Sequence, residues 1–507
     1  MTPAQDSRIP SLVAEPSSTT KWDEGTEAVR DEVAVPAASP GRVHGPTQDW
    51  VAALLFLGLD VVAWITVYGL LSFLRHDAFY TTSLQFAVVD LIQLTTIVVA
   101  VFIISGYNRH TDMQTLSFTT EYILALMSAA VLSALLIYTA ATYDQSMNPS
   151  RAVLLLSFIL FTPISLGYRR LIGSRMLEST AARTFLVIGS GFAARGFFEA
   201  YRRSGNRQRL EFVDLESERI GEPIAGPGSP LVEGDIATKL ERLDKNYSGV
   251  ILAERVDRMH PDLLERLVRT QFHNARVYTL ESFYEEHWRY VPVQALDPFW
   301  PIQTGFQLAR NSPYHYLKRL FDMLFSALLL ALLWPVLLLA ILLVRLGTGG
   351  PAIFRQPRVG RENGLFTMLK LRTMRDEPTG ELEPDIYTRE GDPRITVVGR
   401  WLRKLRLDEL PQLWNVLRGD MSLIGPRAEW IKCAERYEQK IPFYHFRHLV
   451  KPGITGWAQV NYPYGESDDD ALEKLKYDLY YIRHYSLKLD AMIVLKTVHT
   501  VLFGKGR

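Results

Sequence analysis

Long apolar stretches constrain this chain more than any other feature of its sequence. Four of them lie near residues 50–74, 84–106, 119–141 and 152–173. Each has about the 20 residues that an α-helix needs to cross a bilayer. Short polar loops separate them, which is typical of a membrane bundle rather than of buried helices in a large soluble core. The sequence therefore predicts four transmembrane helices within 50–175.

Arginines crowd the end of the fourth stretch and indicate its orientation. Because short cytoplasmic loops are enriched in Lys and Arg, we expect this end in the cytoplasm, and an even number of spans then places the N-terminus there too. Asp60 and Asp90 lie within the first two helices. A carboxylate facing lipid is costly, so we expect both to pair inside the bundle, in a packing role, with a place in a polar pathway as the alternative. The arginines are Arg169, Arg170, Arg175 and Arg183.

The N-terminal segment and the overall charge exclude several classes of protein. Residues 1–49 are rich in Pro, Ser, Thr and Ala without apolar periodicity, which predicts a disordered tail. They lack a basic stretch followed by a short apolar run, so we expect no cleavable signal peptide. The single cysteine, Cys433, excludes an intrachain disulfide framework and multi-cysteine zinc motifs. A net charge of +1 gives no reason to expect nucleic acid as a partner.

An α/β pattern follows at 182–285. A β-type run ends at Gly189 and Gly191 and turns into a helical pattern, as at the start of a Rossmann-like unit. These glycines would let backbone N–H groups approach a phosphate, and Asp214 stands where a ribose-binding acid would. Tight packing of a strand against a helix requires the same glycines, and we favour that interpretation over nucleotide binding. A proline-containing linker at 286–313 would close this domain.

A fifth apolar stretch, 320–346, raises a question of topology. A spanning helix would place everything after it outside the cell, although that region is rich in arginine and suits phosphorylated substrates. Pro335, near the middle, removes a backbone donor and bends a helix. We therefore expect a re-entrant hairpin that leaves the membrane on the face where it entered. A simple spanning helix is the alternative.

Paired carboxylates stand among basic residues in the region 352–507. Guanidinium groups bind phosphate oxygens bidentately and stabilise developing charge in phosphoryl transfer. Nearby positive charge is expected to keep Asp408 and Glu409 ionised, one as a nucleophile and the other as a ligand of Mg²⁺. A salt-bridged surface pair and a basic face on anionic lipid are the alternatives. The basic residues are Arg355, Arg358, Lys370, Arg372, Arg394, Arg400, Arg403, Lys404, Arg406, Arg418 and Arg427.

A dense set of motifs runs from the fifth apolar stretch almost to the end of the chain. It comprises Lys318-Arg319 with Asp322, FRQPRVG at 354–360, KLRTM at 370–374, DPRIT at 392–396, LDELPQLWNVLRGDMSLIGPR at 407–427, KPGITGWAQVN at 451–461 and YDLYYI at 477–482. With these motifs, residues 314–507 resemble the bacterial sugar transferase family, the polyprenyl-phosphate hexose-1-phosphate transferases. Ahead of residues 314–507, the four helices and the Rossmann-like, CoA-binding-like domain resemble the N-terminal parts of the large family members that prime exopolysaccharide synthesis.

The resemblance implies both a fold and an activity. The fold would be a membrane protein of α plus α/β class, with a four-helix bundle, a cytoplasmic Rossmann-like domain and a C-terminal monotopic phosphoglycosyl transferase domain on the re-entrant segment 320–346. The enzyme would transfer a hexose-1-phosphate from a UDP-sugar to undecaprenyl phosphate and release UMP, as the priming step of exopolysaccharide, capsule or O-antigen synthesis. Glucose is the preferred sugar and galactose the alternative. The protein would lie in the bacterial inner membrane. Membrane lipids and further copies of the chain, in a homo-oligomer, would be its other partners.

The resemblance also implies a site. Asp408 would be the nucleophile, forming an aspartyl phosphosugar, and Glu409 would hold Mg²⁺. Three positions depart from the family pattern: Trp334-Pro335 replaces Ser-Pro, Ala428 replaces the second proline of Pro-Arg-Pro, and Tyr462-Pro463 follow Asn461 where relatives often have Gly. The residues that would bind substrate phosphates are Lys370, Arg372, Arg403, Arg427 and Asp478.

Two other functions compete with this interpretation. A membrane-bound NAD-dependent nucleotide-sugar dehydratase or epimerase would also join membrane helices to a Rossmann-like unit, and Tyr314 and Lys318 supply a Tyr-x-x-x-Lys pattern. That pattern directly abuts the hydrophobic hairpin, so we regard it as a coincidence. A non-enzymatic scaffold of a polysaccharide assembly complex would leave the motifs of 352–461 unexplained.

Overall fold

The structure is a computed structural model. It describes residues 49–76, 84–107, 113, 115–143, 150–181, 184–204, 208–214, 219–234, 236–241, 247–254, 259–273, 276–297, 299–302, 306, 312–348, 350–375, 392, 394–462, 465 and 467–502. The predicted disordered tail lies outside the described residues except for Asp49, which begins the first helix.

The first four helices are apolar and long. They are α1 (Asp49–His76), α2 (Leu84–Ile103), α3 (Leu116–Ala141) and α4 (Arg151–Ala181). Within the described residues, four helical segments are long and apolar enough to cross a membrane: Val51–Leu74, Phe118–Ala141, Arg151–Arg175 and Tyr314–Gly347. The segment Val88–Ile103 of α2 forms a shorter apolar helix. Three of the four predicted spans thus reach membrane length in the structure, and so does the fifth apolar stretch.

A buried ion pair joins α1 to α4. Arg169 and Asp60 are fully buried, and the guanidinium donates to both carboxylate oxygens at 2.6 Å. Tyr168 also donates its hydroxyl to Asp60. The expected pairing of Asp60 is therefore found, but Arg169 is not a free charge at the membrane surface, so the sequence argument for orientation rests on its neighbours. Asp90 Oδ1 is buried without a hydrogen-bond partner among the described residues.

Strands and helices alternate after the bundle. The strands are β1 (Thr184–Ile188), β2 (Arg209–Val213), β3 (Val232–Glu233), β4 (Tyr247–Leu252) and β5 (Arg276–Thr279), and the helices are α5 (Phe192–Arg203), α6 (Ile236–Glu241), α7 (Pro261–His273) and α8 (Leu280–Phe283). The strands form one parallel sheet in the order β3-β2-β1-β4-β5. Along β1, Phe185 and Val187 join one buried cluster while Leu186 and Ile188 join another, so apolar residues cover both faces. Doubly wound nucleotide-binding sheets share this strand order.

The segment predicted as a linker, 286–313, contributes to a hydrophobic core. Val291, Trp300 and Phe306 are buried with the side chains of the C-terminal domain. Trp457 Nε1 donates to the carbonyl oxygen of Arg289 at 2.9 Å. The prolines predicted a linker, and four of its apolar side chains, the three above and Val293, are buried, which stabilises the fold by removing apolar surface from water. Its short helical turns are Tyr284–Trp288, Val293–Ala295 and Trp300–Ile302.

The C-terminal domain mixes helices with two small sheets. Its helices are α9 (Tyr314–Thr348), α10 (Val397–Lys404), α11 (Gln412–Arg418), α12 (Ile431–Lys440), α13 (Trp457–Asn461), α14 (Asp468–Arg483) and α15 (Leu487–Leu502). The strands are β6 (Ile353–Val359), β7 (Leu365–Leu371), β8 (Ser422–Ile424) and β9 (Gly453–Thr455). The pair β6 and β7 is antiparallel, and the pair β8 and β9 is parallel. Short 3₁₀ turns lie at Arg361–Asn363, Leu407–Glu409 and Tyr444–Leu449.

The apolar helix α9 is continuous through Pro335. A proline weakens one turn, but the helix continues on both sides of it. The structure therefore shows no break in the helix at which the predicted hairpin would turn. Both ends of α9 contact the C-terminal domain. Near its start, Lys318 Nζ lies 2.6 Å from Asp490 Oδ2 of α15. Near its end, Val344 packs in a cluster with Leu371 of β7 and Leu402 of α10.

The helix α15 connects the C-terminal domain to the bundle. Lys496 Nζ lies 3.1 Å from Glu121 Oε1, near the start of α3. Lys488 Nζ lies 4.4 Å from the ring centroid of Phe102, near the end of α2. The domain therefore contacts the end of the bundle at which α2 finishes and α3 begins.

Candidate active site

The two adjacent carboxylates lie in the 3₁₀ turn Leu407–Glu409, between α10 and α11. Arg406 precedes the turn with a φ of 56°, a left-handed conformation that redirects the chain. Asn415 fixes α11 to β7, since its Oδ1 accepts from the backbone N–H of Leu369 at 3.0 Å and its Nδ2 donates to Thr367 O at 2.8 Å. This contact brings the carboxylates of the turn next to Lys370 of β7.

Three cations surround one carboxylate oxygen of Glu409. Its Oε1 lies 3.2 Å from Arg427 Nη2, 3.8 Å from Arg406 Nη1 and 4.0 Å from Lys370 Nζ. Asp408 differs from its neighbour, because its Oδ1 is buried with no hydrogen-bond partner in the described part of the chain. Both residues are less than a tenth exposed. Two neighbouring carboxylates thus occupy different environments.

The environments shift the two pKa values in opposite directions. Burial raises the pKa of Asp408, the charge of Glu409 adds to the rise, and Lys370 and Arg403 offset it only in part. Burial also disfavours the charged form of Glu409, but Arg427, Lys370 and Arg406 together outweigh it and lower the pKa of Glu409. We expected the cations to keep both carboxylates ionised. The shift has the expected direction for Glu409 and the opposite one for Asp408.

The cations of the site also repel one another. Burial, followed by the charge of Arg427, lowers the pKa of Lys370 to about 8. Burial lowers the pKa of Arg358 to about 10, and Arg427 adds to that shift. An anion held between these side chains would relieve both desolvation and repulsion, which is what a phosphate-binding site requires.

The other two predicted phosphate-binding arginines, Arg403 and Arg372, differ in their surroundings. Arg403 Nε donates to Thr373 Oγ1 at 2.9 Å, and the charge of Arg403 acts on Asp408. The Arg372 guanidinium is directed toward Gly350, where Nη1 lies 3.3 Å from the position of a Cβ atom. The structure thus brings Lys370 and Arg427 to Glu409, with Arg403 near Asp408 and Arg372 turned elsewhere.

Asp478, the fifth predicted phosphate-binding residue, is an internal ion-pair partner. It is 1% exposed, and its Oδ2 accepts from Arg447 Nη2 at 3.0 Å. The same nitrogen of Arg447 lies 3.0 Å from the carbonyl oxygen of Arg427. Contact of Asp478 with substrate stays a prediction, while in the structure its carboxylate is buried and one of its oxygens is paired with Arg447. Asp478 helps to position Arg427 through Arg447.

Sequence reasoning counted Arg406 among the basic residues of the region without assigning it a role, and it missed Arg447. A signal for Arg406 was available, because residues three apart in a helical turn are neighbours and Arg406 precedes Glu409 by three. Arg447 and Asp478 are 31 residues apart, and no local pattern joins them.

The glycines of the parallel sheet lie together with Asp214. Gly189 has a φ of 116°, and a Cβ atom there would lie 3.1 Å from Glu254 Cβ. Ser190 donates its hydroxyl to Asp214, so the ends of β1 and β2 meet. The close approach of Glu254 is sufficient to require glycine at 189. A carboxylate oxygen of Glu254 also lies 3.8 Å from the Cβ position of Gly191, which adds negative charge where a phosphate would bind.

The Tyr-x-x-x-Lys pattern is not joined to that sheet. Tyr314 Oη and Lys318 Nζ both bind Asp490 Oδ2 at 2.6 Å. The two side chains therefore link α9 to α15, which gives them a structural role without a cofactor.

Comparison with known proteins identifies the class. Residues 313–504 match the sequence profile of a family described as bacterial sugar transferase. A UDP-glucose:undecaprenyl-phosphate glucose-1-phosphate transferase of Caulobacter vibrioides is 46% identical over 188 residues, which cover 36% of this chain and 69% of the relative. The chain belongs to the bacterial sugar transferase family.

Two further relatives extend the comparison. An undecaprenyl-phosphate glucose phosphotransferase of Komagataeibacter xylinus is 40% identical over 362 residues, 69% of this chain and 66% of the relative. A UDP-N-acetylgalactosamine-undecaprenyl-phosphate N-acetylgalactosaminephosphotransferase of Aeromonas hydrophila is 45% identical over 260 residues, 51% of this chain and 60% of the relative. The chain thus spans slightly less than two thirds of the length of these two relatives.

Proposed function

We propose that this protein is a phosphoglycosyl transferase that moves a hexose-1-phosphate from a UDP-sugar to undecaprenyl phosphate and releases UMP. The observation that carries the proposal is the unpartnered, buried Oδ1 of Asp408 beside Glu409 and its cations. The names of relatives support a UDP-sugar and undecaprenyl phosphate as substrates. They name glucose and N-acetylgalactosamine as sugars; we propose glucose for this chain, with galactose as the alternative.

The proposed chemistry has two displacements at one phosphorus atom. A carboxylate oxygen of Asp408 attacks the phosphorus attached to the sugar, and the bond to the bridging oxygen breaks, so that UMP leaves. A phosphate oxygen of the polyprenyl phosphate then attacks the same phosphorus and regenerates the carboxylate. The raised pKa of Asp408 favours its role as nucleophile, because a more basic carboxylate is the better one once ionised. Lys370 and Arg427 would bind the phosphate oxygens and stabilise the developing charge.

We propose Mg²⁺ as the metal of this site, because carboxylate oxygens are ligands that it accepts. Among the described residues no group of three or more His, Cys, Asp and Glu side chains could hold a metal ion. Mg²⁺ is usually bound by one or two carboxylates together with substrate phosphates, so a pair of carboxylates is sufficient. Glu409, with its lowered pKa, would be the ligand, and the unpartnered Oδ1 of Asp408 lies next to it. The ion would supply charge neutralisation at the departing UMP phosphate.

A water-soluble donor and a lipid acceptor require a site at the membrane surface. The helix α9 exposes large apolar side chains along its length, including Leu332, Trp334 and Leu338. Because one domain contacts both ends of α9, a path that crosses the bilayer would place that domain on both sides of the membrane. We therefore propose the re-entrant path, with the sheet domain and the C-terminal domain in the cytoplasm.

The released nucleotide tests the reaction. Purified protein is incubated with undecaprenyl phosphate, Mg²⁺ and separate UDP-sugars, and the nucleotide is identified. UMP is expected from one hexose; UDP would indicate glycosyl transfer, and no nucleotide from any sugar would contradict the proposed activity.

Two variants test the roles of the carboxylates. Asp408→Asn is expected to reduce turnover by several orders of magnitude, since an amide cannot form the intermediate. Glu409→Gln is also expected to be severe, with partial rescue at high Mg²⁺ for this variant alone. Incubation of wild-type protein with the UDP-sugar alone, followed by peptide mass spectrometry, is expected to map a phosphosugar adduct to Asp408. An adduct on another residue would exclude Asp408 as the nucleophile.

A further inference from the structure

A second group of basic side chains surrounds a pocket where α9 begins. We call it the cationic pocket, and it is lined by His315, Lys318, Arg319, Arg361, Lys451 and Tyr485 among others. It combines residues of α9, of the turn between β6 and β7, and of the segment before β9. None of these side chains is among the contacts of Asp408 or Glu409 described above.

The charges of the cationic pocket are only partly balanced. Lys318 is paired with Asp490, and Asp322 accepts from the backbone N–H of Leu423 at 3.1 Å. Arg319 donates to two carbonyl oxygens at the end of α11, at 2.5 and 2.8 Å. These contacts hold Arg319 in place without neutralising its charge.

Lys451 faces this fixed arginine. A Cβ atom on Gly419 would lie 3.3 Å from Arg319 Nη2 and 3.6 Å from Lys451 Nζ, so the two cations flank one small space. Within the described residues, Lys451 has no hydrogen-bond or ion-pair partner. Arg361 Nε is likewise buried without a hydrogen-bond partner, although its Nη2 lies 3.2 Å from Glu362.

Electrostatics separate this pocket from the active site. Burial lowers the pKa of Lys451, and Arg319 and Arg361 lower it further. The basic neighbours that lower the pKa of Lys370 are instead Arg427 and Arg358. The chain therefore holds two sets of mutually repelling cations, and an anion would relieve the repulsion in each.

The position of the pocket indicates which anion. It adjoins the first turn of α9, just before the apolar residues that begin at Leu320. Tyr316, in the same turn, is 80% exposed, as aromatic residues at the level of lipid headgroups are. Basic pockets beside membrane helices bind anionic headgroups. A phosphate that reaches this pocket is therefore most readily supplied by the membrane.

We propose that the cationic pocket binds the phosphate of an anionic membrane phospholipid, and that Lys451 and Arg361 contact it. This site is separate from the transfer reaction, since neither Asp408 nor Glu409 is among the residues that line it. Its occupancy would fix the beginning of α9 relative to the C-terminal domain, because the ligand would join Arg319 of α9 to Lys451 and Arg361.

Thermal unfolding of the full chain in lipid nanodiscs tests the proposal. The discs contain either phosphatidylcholine alone or phosphatidylcholine with phosphatidylglycerol, and a third sample adds inorganic phosphate to the phosphatidylcholine discs. Phosphatidylglycerol is expected to raise the unfolding midpoint, because a ligand that binds only the folded state stabilises it. Lys451→Gln is expected to reduce this shift at least by half, and Lys451→Gln with Arg361→Gln to remove it.

Arg345→Gln is the matched control, since Arg345 is an exposed arginine near the other end of α9. It should retain the full shift. Lys451→Gln removes no hydrogen bond within the described residues, so its midpoint in phosphatidylcholine discs should equal or exceed that of the wild type. An equal shift of the unfolding midpoint in Arg345→Gln and in the double variant would mean that the anionic lipid attracts the protein nonspecifically. A full wild-type shift with inorganic phosphate alone would mean that the pocket binds a soluble anion. Either result would overturn the lipid proposal, whatever the fate of the transferase activity.

Discussion

Lys370 is the residue of the site whose charge is most sensitive to pH near neutrality. Because its pKa is lowered to about 8, the ammonium loses its proton above that pH. The neutral amine cannot stabilise the negative charge of Glu409, whose Oε1 lies 4.0 Å from Lys370 Nζ, and it cannot neutralise a substrate phosphate. We therefore expect kcat/KM for the UDP-sugar, which reports the free enzyme, to fall as the pH rises through about 8.

Lys370→Arg is the informative variant for this pH dependence. A guanidinium keeps its proton throughout the range, so the alkaline decline should move to higher pH even where the activity at pH 7 is reduced. Initial rates of UMP release from pH 6.5 to 9.5 measure the effect. An identical alkaline decline in both proteins would assign it to another group.

Asp478 gives a second pH dependence, in stability rather than in activity. Burial raises the pKa of Asp478 to about 6, and Arg447 offsets this only in part. The folded state thus keeps a proton that the unfolded chain releases above its lower pKa, so this group contributes less stability as the pH rises from about 4 through 6. Asp478→Asn cannot titrate. Relative to wild type, its free energy of unfolding should therefore increase by roughly 2 kcal/mol between pH 4.5 and 7.5.

Unfolding midpoints of both proteins at the two pH values measure this difference. The comparison at each pH cancels the titration of other groups, including His448, whose pKa burial lowers to about 3. The same difference between variant and wild type at both values would show that Asp478 is ionised in the folded state throughout.

The elements differ in how well their sequences specify them. The membrane-length helices were readable because twenty apolar residues in succession have few other uses, although their ends moved by several residues, as for α4 at Ala181. The turn after β1 could be predicted because glycine adopts a positive φ more readily than other residues, and Gly189 does so in the structure. The segment 286–313 was predicted as a linker from its prolines, which mark irregular backbone and say nothing about burial. Its Trp300 is fully buried, which depends on side chains more than a hundred residues away.

The same limit applies to the active site. Asp408, Glu409 and Arg427 were predicted from the motif at 407–427, and Lys370 from the motif at 370–374. The different environments of the two carboxylates depend on burial and on the three cations around one oxygen of Glu409, of which only Arg406 could be placed from its spacing. The Arg447–Asp478 pair depends on the packing of Tyr444–Leu449 against α14, and only the fold brings these together.

A substitution at Pro335 tests the path of α9 through the membrane. Pro335→Leu restores the missing backbone donor and removes the clash of the ring with the preceding turn, so the helix should straighten and favour a spanning path. We expect a cysteine introduced at Lys432, which is exposed on α12, to become partly labelled from outside the cell, with loss of transfer activity. Trp334→Leu is the matched control, because it changes the adjacent residue at the same depth and leaves the proline. Unchanged labelling and activity in Pro335→Leu would show that the proline is dispensable for the path.

Three connections relate the sheet domain, the C-terminal domain, the bundle and α9 to one another. The sheet domain follows α4 directly, with β1 beginning at Thr184. The C-terminal domain contacts the start of α3 through Lys496 and Glu121, and the same domain holds both ends of α9. In an up-and-down bundle of four helices, the end of α4, the end of α2 and the start of α3 lie on one side. Both domains should then face the same compartment, and we propose that it is the cytoplasm because Arg170, Arg175 and Arg183 lie at the end of the fourth apolar stretch.

Cysteine labelling tests this arrangement in one set of proteins. In a Cys433→Ser background, single cysteines replace Arg202 on α5, Lys432 on α12 and Tyr143 after α3, all of which are exposed. Tyr143, 91% exposed at the opposite end of the bundle, should react with a membrane-impermeant maleimide in intact cells. The other two should react only after the membrane is permeabilised. Labelling of Lys432→Cys in intact cells, with Arg202→Cys still protected, would mean that α9 spans the membrane. Protection of both cysteines is the result expected of a re-entrant α9, because one domain contacts both of its ends.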